Sequence, residues 1–345
     1  MAFSFADSFE TITAGGDLTL RGWTLSGTPT VETTIFKDGT QCISLDLDEF
    51  ARHDTGAAAN KIVFASFWFY KDHEDTAKFF IFRGSGTAEL YLEAQANNTV
   101  IIKDQAATAL GTSSAVLLSD TWHHIEFKGV FKNSIAADDV TLTINGVLQV
   151  TVATATDTQL AAEDTITRIE LDADNEAAKN NYFDSIVVWD EDAGDDWSAS
   201  RGRLRIEVVE PDGTGNSADF TGSDADSTDN YLHVDEVNAF HDVDASYTES
   251  STATDKDLYT YADMAATGVI VGVQGVLIAK KVLAAARGLK QVTRVGTTDY
   301  LGAENLLTED VYVAYTEIWD EDPDATAPWT KTSVNAAEFG VEVST

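Results

Sequence analysis

The feature that most constrains this chain is a succession of short runs rich in β-branched and aromatic residues, separated by turn-forming residues. The clearest example surrounds Asn145-Gly146, which lies between the segments 140–144 and 147–150. An Asn-Gly pair favours the two positive φ angles of a type I′ turn, a common tight connection between antiparallel strands. The sequence therefore predicts a β-hairpin here.

Strand-like segments continue along the whole chain, whereas helical patterns are nearly absent. They comprise 61–70, 79–83, 89–93, 99–103, 123–127, 166–171 and 182–189, followed by 203–209, 245–250, 257–261, 268–281, 290–295, 311–319 and 339–343. Short helices are expected only at 283–288 and 333–338, and residues 214–231 are predicted to form a long exposed loop. The pattern indicates an all-β protein.

The length of 345 residues favours two domains, because a single hydrophobic core seldom keeps growing at this size. The polar stretch that follows Trp189 is typical of a linker, so the boundary is predicted near residue 198. We therefore predict two tandem antiparallel β-sandwich domains, which span residues 1–198 and 199–345.

The charge of the chain is strongly negative, with 58 acidic against 22 basic residues and a formal net charge of −36. Such an excess of carboxylates repels nucleic acid, and Arg201, Arg203 and Arg205 are interpreted as ordinary strand surface. A surface rich in carboxylates suits a protein that works at high ionic strength, where salt screens self-repulsion. We therefore expect a halophilic or marine source.

Neither disulfides nor a membrane span is expected. Cys42 is the single cysteine, so no intrachain disulfide forms, and it is predicted to be a buried apolar side chain. The most apolar window, 269–279, is too short to cross a bilayer and is predicted to be core. Residues 1–9 lack the pattern of a signal peptide, so classical secretion is not expected.

The motif Trp-Asp-Glu-Asp occurs twice, at 189–192 and 319–322, and a second tryptophan follows each copy. One interpretation is a strand that leaves a core, with its tryptophan packed and its carboxylates solvated. The alternative is a calcium site, because closely spaced carboxylates are ligands that Ca²⁺ prefers, although neither copy has the 12-residue loop of an EF-hand. The candidate ligands are Asp190, Asp192, Asp320 and Asp322. Ca²⁺ is the one candidate ion, and no cofactor is predicted to be required.

The best candidate for catalysis is Glu170-Leu-Asp172-Ala-Asp174, because alternation on a strand points its three carboxylates to one face. Concanavalin-like glycoside hydrolases use such an array with glutamate at both ends. Here the far position is the shorter Asp174, which alters the carboxylate separation that a retaining mechanism requires. We therefore favour a solvent-facing acidic strand.

Other catalytic and metal patterns are missing from the sequence. His123 and His124 are adjacent, so on a strand they point to opposite faces and do not share a metal. His53, His73, His233 and His241 have no partners at zinc-ligand spacing. The sequence has no Gly-x-Ser-x-Gly motif and no glycine-rich phosphate loop. We therefore predict no catalytic residues and no enzymatic activity.

Aromatic residues raise the alternative of a surface that stacks against sugars. Its candidates are Trp23, Phe67, Trp68, Phe69 and Tyr70. The near-continuous apolar run 64–70 is more typical of a strand covered on both faces, so a core position is favoured.

The segment Asp120-Thr-Trp-His-His-Ile-Glu-Phe, followed by the hairpin around Asn145-Gly146, resembles the laminin-G, pentraxin and concanavalin A-like superfamily. Residues 182–189 look like the closing strand of such domains, and Asp7-Ser-Phe-Glu looks like the opening one. The resemblance covers roughly residues 1–195 and implies a jelly-roll sandwich.

The second half is similar to modules of tailed-phage virion proteins, in the segments 205–216, 257–264 and 334–343. This resemblance implies a structural protein of the virion, assembled in the host cytoplasm as a capsid decoration, head-fibre, tail-fibre or tail-tip component. The partners implied are other copies of the chain and neighbouring virion proteins.

The sequence thus predicts two jelly-roll domains without enzymatic activity, and the resemblance implies display in multiple copies on a tailed virus. The first alternative is a lectin-like module that binds host surface glycans. The second is a diverged glycoside hydrolase. Binding to nucleic acid and insertion into a membrane are not expected.

Overall fold

The structure is a computed structural model that describes residues 3–10, 15–86, 89–159, 163–174, 179–191, 201–236 and 244–344. The chain divides into two compact units, Met1–Ile206 and Glu207–Thr345. The boundary predicted near residue 198 falls outside the described residues.

In its described residues, the first unit has one short helix, α1 (Gly15–Leu20), and is otherwise built from antiparallel strands. These are β1 (Phe3–Asp7), β2 (Thr24–Ser26), β3 (Thr30–Glu32), β4 (Cys42–Leu45), β5 (Phe50–Asp54), β6 (Val63–Lys71), β7 (Ala77–Arg83), β8 (Glu89–Ala94), β9 (Val100–Asp104), β10 (Ala109–Thr112), β11 (His123–Gly129), β12 (Thr141–Ile144), β13 (Val147–Thr151), β14 (Arg168–Asp174) and β15 (Asn181–Asp190).

These strands form two sheets packed face to face. The front sheet has the order β13-β12-β11-β6-β15-β4-β3, with β1 also paired to β15, and the back sheet has the order β10-β9-β8-β7-β14-β5-β2. Phe67 of the front sheet stacks on Phe80 of the back sheet, with ring centroids 4.7 Å apart. Phe82 and Phe127 stack in the same way at 4.8 Å. This aromatic layer is the core of the sandwich.

The β-hairpin predicted at Asn145-Gly146 is confirmed. Asn145 and Gly146 have φ angles of 54° and 79° and join β12 to β13. The Asn145 side chain also accepts a hydrogen bond from the backbone N–H of His124, at 3.0 Å. The first and last strands, β1 and β15, pair with each other. Cys42 is fully buried, as predicted.

The second unit is also antiparallel. Its strands are β16 (Pro211–Ala218), β17 (Thr221–Gly222), β18 (Thr248–Glu249), β19 (Lys256–Tyr261), β20 (Val273–Ala279), β21 (Gly288–Val295), β22 (Thr298–Leu306), β23 (Val313–Trp319) and β24 (Glu338–Val343), with a 3₁₀ helix at Asn230–His233 and the helix α2 (Lys331–Ala336). Five of them form a sheet in the order β16-β19-β24-β21-β22, while β17 pairs with β18 and β20 with β23.

The core of the second unit is small. Phe220, Leu289, Val341 and Val343 form its buried cluster, and Leu277 of β20 packs against them. Trp319 of β23 lies 6.0 Å from the ring of Phe339 on β24. The two-stranded sheet β20–β23 therefore covers one face of the five-stranded sheet. The prediction of an all-β chain of antiparallel sheets is confirmed, with two short α-helices in the described residues.

Several local predictions for the second half are wrong. Residues 203–209 form no strand, and the predicted loop 214–231 contains most of β16, the strand β17 and the start of the 3₁₀ helix. Residues 283–288 are not helical, whereas the helix expected at 333–338 is present as Lys331–Ala336. In the window predicted to be core, Val269 is 83% exposed and Val276 is 47% exposed.

Candidate functional site

The carboxylates of β14 lie on the outer face of the back sheet. Ile169, Leu171 and Ala173 are fully buried and point into the sandwich, so the alternate residues Glu170 and Asp172 point the other way. The sequence prediction that these two share one face is therefore confirmed. The side chain of Asp174 lies outside the described residues.

Both oxygens of the Glu170 carboxylate are bound by arginines from the neighbouring strands. Arg52 of β5 donates from Nε to Oε2 at 2.6 Å. Arg83 of β7 donates from Nη2 to Oε1 at 2.6 Å, and its other terminal nitrogen pairs with Glu89 of β8. Glu170 itself is 1% exposed, so the favoured interpretation of a solvent-facing strand is wrong for this residue, because the two arginines cover its carboxylate. The result is a charge chain across four strands, which we call the arginine clamp.

A different part of this unit presents aromatic rings at the surface. Tyr70 of β6 and Tyr182 of β15 are opposite each other in the front sheet, with ring centroids 5.3 Å apart. Trp122, which precedes β11, lies 5.5 Å from Tyr70. Tyr70 and Trp122 are half-buried, while Tyr182 is buried. These three residues form the Tyr70 cluster.

Polar groups surround the Tyr70 cluster. The hydroxyl of Tyr70 donates to Asp120 at 3.2 Å, and that of Tyr182 donates to Asp72 at 3.4 Å. Asn180 donates to the hydroxyl of Tyr182 at 3.3 Å. Burial, followed by the hydrogen bond to Asp120, raises the pKa of Tyr70, and burial raises the pKa of Tyr182 to about 12. Both phenols are therefore protonated donors at neutral pH.

The core position that the sequence favoured is wrong for Tyr70, which is half-buried at the surface, but it is confirmed for the other aromatic candidates. Trp23, Phe67 and Phe69 are buried, and Trp68 is covered by Lys37, whose Nζ lies 4.4 Å from the ring centroid. Sequence reasoning did not identify Trp122 and Tyr182 as part of this cluster, because they are distant from Tyr70 along the chain and meet it only in the folded sheet. The alternation of β6 is the signal that places Tyr70 on the outer face.

His123 and His124 point to opposite faces of β11, as predicted. His124 lies on the outer face, where its Nε2 is 2.9 Å from the hydroxyl of Ser66. Ser66 and His124 are each 1% exposed, and no described residue binds the Nδ1 of His124. Burial and, second, the charge of Arg203 lower the pKa of His124 to about 4. This serine–histidine pair is closed to solvent, and no carboxylate of the described residues orients it.

The four calcium candidates have different environments. Asp190 is buried at the end of β15, and Asp192 lies outside the described residues. Asp322 closes a turn, because its Oδ1 accepts the backbone N–H groups of Asp324 and Ala325 at 3.0 and 3.3 Å. Among the described residues, none of Asp190, Asp320 and Asp322 belongs to a group of three metal-ligating side chains. Calcium binding by these residues stays a prediction.

The described residues contain one group of three side chains arranged as metal ligands, namely Asp224, Asp229 and His233, whose ligand atoms all lie within 4.8 Å of one another. His233 pairs with Asp224 at 3.3 Å. A Cβ on Gly222 would lie 2.7 Å from the His233 ring, so glycine is required there. The sequence found no partner for His233, because this region was predicted to be a structureless loop.

Comparisons with known proteins give a limited result. No family model and no curated protein matches the chain. Among solved structures, the chain is similar to the carbohydrate esterase of the Shiga toxin-encoding bacteriophage phi24B, with 18% identity and a TM-score of 0.39 over 55% of this chain and 99% of that one.

Two further structures show a comparable likeness. Domain 4 of an extracellular arabinanase from Geobacillus stearothermophilus, in complex with arabinotriose, has 14% identity and a TM-score of 0.40 over 55% of this chain and 92% of that one. Lectin I-B4 from Griffonia simplicifolia has 10% identity and a TM-score of 0.35 over 54% of this chain and 99% of that one. Likeness at this level carries no argument about function.

Within the described residues, no helix is long and apolar enough to cross a bilayer.

Proposed function

We propose that this chain is a non-enzymatic structural protein of a tailed-virus particle, displayed in multiple copies as a head or tail component. The arginine clamp is the observation that supports the absence of enzymatic activity in this proposal. It occupies the one strand on which the sequence places a catalytic array of carboxylates.

A retaining glycosidase needs two carboxyl groups about 5 to 5.5 Å apart, one as nucleophile and one as acid and base. Glu170 is 1% exposed, and arginines bind both of its oxygens. Both oxygens are thus occupied and closed to solvent, and a carboxylate held by two ion pairs is a weak nucleophile. The clamp therefore supports a cross-strand structural role for Glu170.

The virion assignment is supported by the resemblance of the second half to tailed-phage modules, and assembly in many copies would make weak contacts durable through multivalency.

Two measurements test the proposal. Mass spectrometry of purified particles of the encoding virus should detect the chain at more than one copy per particle, and its absence from particles would overturn the assignment. Hydrolysis of β-glucan by the wild type that disappears in Glu170→Gln would overturn the non-enzymatic part.

The Tyr70 cluster favours a second candidate function, the binding of surface glycans. Half-buried aromatic rings bordered by carboxylates and an amide suit a ligand with one apolar face and several hydroxyl groups, as a pyranose ring has. Asp72 and Asp120 are exposed beside the rings and offer acceptors for sugar hydroxyls. This function is compatible with display on a particle.

A glycan array tests this second candidate. The wild type should bind a subset of glycans, and Trp122→Ala should lose that signal because it removes a half-buried ring on which a sugar would stack. Tyr247→Ala is the matched control, since Tyr247 is a surface tyrosine of the second unit, 36% exposed. Binding that is absent in the wild type, or unchanged in Trp122→Ala, would exclude the Tyr70 cluster as a glycan site.

A further inference from the structure

One segment of the second unit differs sharply in charge from the rest of the chain. From Met264 to Thr298 the sequence has no Asp and no Glu, although the chain has 58 acidic residues. The same segment carries five of the 22 basic residues, namely Lys280, Lys281, Arg287, Lys290 and Arg294. It contains β20, β21 and the loop that joins them.

The loop between β20 and β21 is apolar and exposed. Residues 282–286, Val-Leu-Ala-Ala-Ala, are all exposed, with Val282 at 64% and Leu283 at 57%. A run of exposed apolar residues of this length is unfavourable on a solvated surface unless it binds something. The run therefore indicates a contact surface.

Neighbouring residues extend this surface. Backbone hydrogen bonds join the loop to the segment between β22 and β23. The N–H of Lys281 donates to the Thr308 carbonyl at 3.0 Å, and the N–H of Asp310 donates to the Lys281 carbonyl at 2.8 Å. Leu306, 67% exposed, is the last residue of β22, and Val311, 52% exposed, lies on the joining segment. Residues 282–286, Leu306 and Val311 together form what we call the apolar tip.

The charges around the apolar tip are of both signs. Lys281 and Arg287 flank the loop, while the exposed residues Glu309 and Asp310 lie beside them on the joining segment. A patch with an apolar centre and mixed charges at its rim is complementary to itself. A two-fold axis that places the cations of one copy opposite the carboxylates of the other would pair both signs of charge.

From these observations we infer that the apolar tip binds a second copy of this chain in a two-fold contact. The inference rests on the proposed display in multiple copies and names the surface that brings two copies together. Two chains that each carry a net charge of −36 repel each other over most of their surface. The segment without carboxylates is where two copies approach at the lowest electrostatic cost.

An anionic lipid surface fits this patch less well. It would attract Lys281 and Arg287, but Glu309 and Asp310 lie in the same rim and would be repelled together with the rest of the acidic chain. A second copy satisfies both signs at once, so it is the occupant that the charges favour.

Sedimentation velocity of the full chain, measured over a range of protein concentrations, tests the inference. The wild type should form a dimer whose fraction rises with NaCl, because salt screens the repulsion between the acidic chains and leaves the apolar contact. The double variant Val282→Asp, Leu283→Asp should associate roughly a hundredfold more weakly, since it places like charges in the contact.

The chain supplies a matched control in Val147→Asp, Leu148→Asp. These two residues are also an adjacent valine and leucine, 59% and 58% exposed, and they lie in the first unit. This control should dimerise like the wild type, and circular dichroism should show that both variants keep their strands. A wild type that is monomeric throughout, or two variants that associate equally, would overturn the inference.

Cosedimentation with vesicles of anionic phospholipid adds a further test. Binding of a monomeric wild type to these vesicles, lost in Val282→Asp, Leu283→Asp, would assign the apolar tip to a membrane instead and overturn the inference. A monomeric chain still found in purified particles would refute this contact and leave the proposed function intact. A dimer that is absent from purified particles would support this contact and overturn the proposed function.

Discussion

Two buried carboxylates of the first unit are stabilised in different ways. Glu170 has two arginine partners, whereas Asp184, fully buried on the outer face of the front sheet, is held in the described part of the chain by hydrogen bonds. The backbone N–H groups of Lys37 and Asp38 donate to Asp184 at 2.8 and 3.0 Å, and Ser185 donates at 3.1 Å. Burial outweighs these bonds and raises the pKa of Asp184 to about 6. Removing the charge of Glu170 and removing that of Asp184 should therefore change the stability of the protein in different ways.

Replacing Glu170 by Gln should lower the free energy of unfolding by about 3 kcal/mol, because it leaves the half-buried Arg52 without its counter-charge and Arg83 with Glu89 alone. Urea denaturation measures the change. Glu93→Gln is the control, because Glu93 is 13% exposed and pairs with the single cation Lys103 at 2.6 Å. Its loss should be about 1 kcal/mol or less. Equal losses in both variants would contradict a special role for the clamp.

Replacing Asp184 by Asn should stabilise the protein at neutral and higher pH. The carboxyl has a higher pKa in the folded state than its ordinary value of 3.8, so the folded state holds its proton more tightly than the unfolded state does. Ionisation therefore costs stability progressively as the pH rises from about 4 to about 6, up to about 3 kcal/mol. The amide of Asn avoids this cost and can still accept the backbone N–H groups.

Unfolding curves of Asp184→Asn and wild type at several pH values check this expectation. The two proteins should have similar stability near pH 4, and the variant should gain above about pH 6. Asp157→Asn, at an exposed carboxylate, serves as the control and should show little change at any pH. A gain for Asp184→Asn that is independent of pH would contradict the argument.

At the scale of single elements, the hairpin β12–β13 depends on the backbone of its turn. Gly146 has a φ of 79°, and a Cβ at this position would meet no atom within 4 Å. Gly146→Ala should therefore cost about 1 kcal/mol through backbone strain alone. Gly146→Asn should cost less, because Asn tolerates the left-handed region better. Thermal unfolding of both variants measures the difference, and equal losses would point to a cause other than φ.

The same hairpin shows which parts of the fold the sequence predicts well. Asn145-Gly146 encodes its turn locally, so the pairing of β12 with β13 could be read from the sequence alone. Strand β16 (Pro211–Ala218) could not, because its Gly, Asp, Ser and Asn residues have low strand propensity and its pairing with β19 comes from distant backbone groups. Local propensity is informative only where tertiary pairing does not override it.

The candidate sites follow the same rule. The shared face of Glu170 and Asp172 follows from alternation, but the arginines that bind Glu170 come from two other strands. Tyr70, Trp122 and Tyr182 likewise lie on separate segments of the chain. The apolar window 269–279 was predicted to be core because its composition is apolar. Composition does not reveal that the small core of the second unit leaves Val269 and Val276 exposed.

At the scale of the whole molecule, the net charge of −36 is the dominant electrostatic feature. Mutual repulsion among carboxylates is stronger in the compact folded state than in the expanded unfolded state, so it destabilises the fold. Ion pairs such as Arg52 with Glu170 offset only part of this repulsion, because the chain has 22 cations for 58 carboxylates. Salt should therefore stabilise the folded protein.

We expect the midpoint of thermal unfolding to rise by at least about 5 °C between about 0.02 and 1 M NaCl, where the Debye length falls from more than 20 Å to about 3 Å. Screening depends on ionic strength and levels off near 1 M, whereas the exclusion of salt from apolar surface grows steadily with concentration. NaCl and KCl at equal ionic strength should therefore give the same curve with the same plateau. A midpoint that does not change over this range would mean that the carboxylates are too well solvated to repel one another. In that case, the high acidity of the chain would not indicate a saline environment.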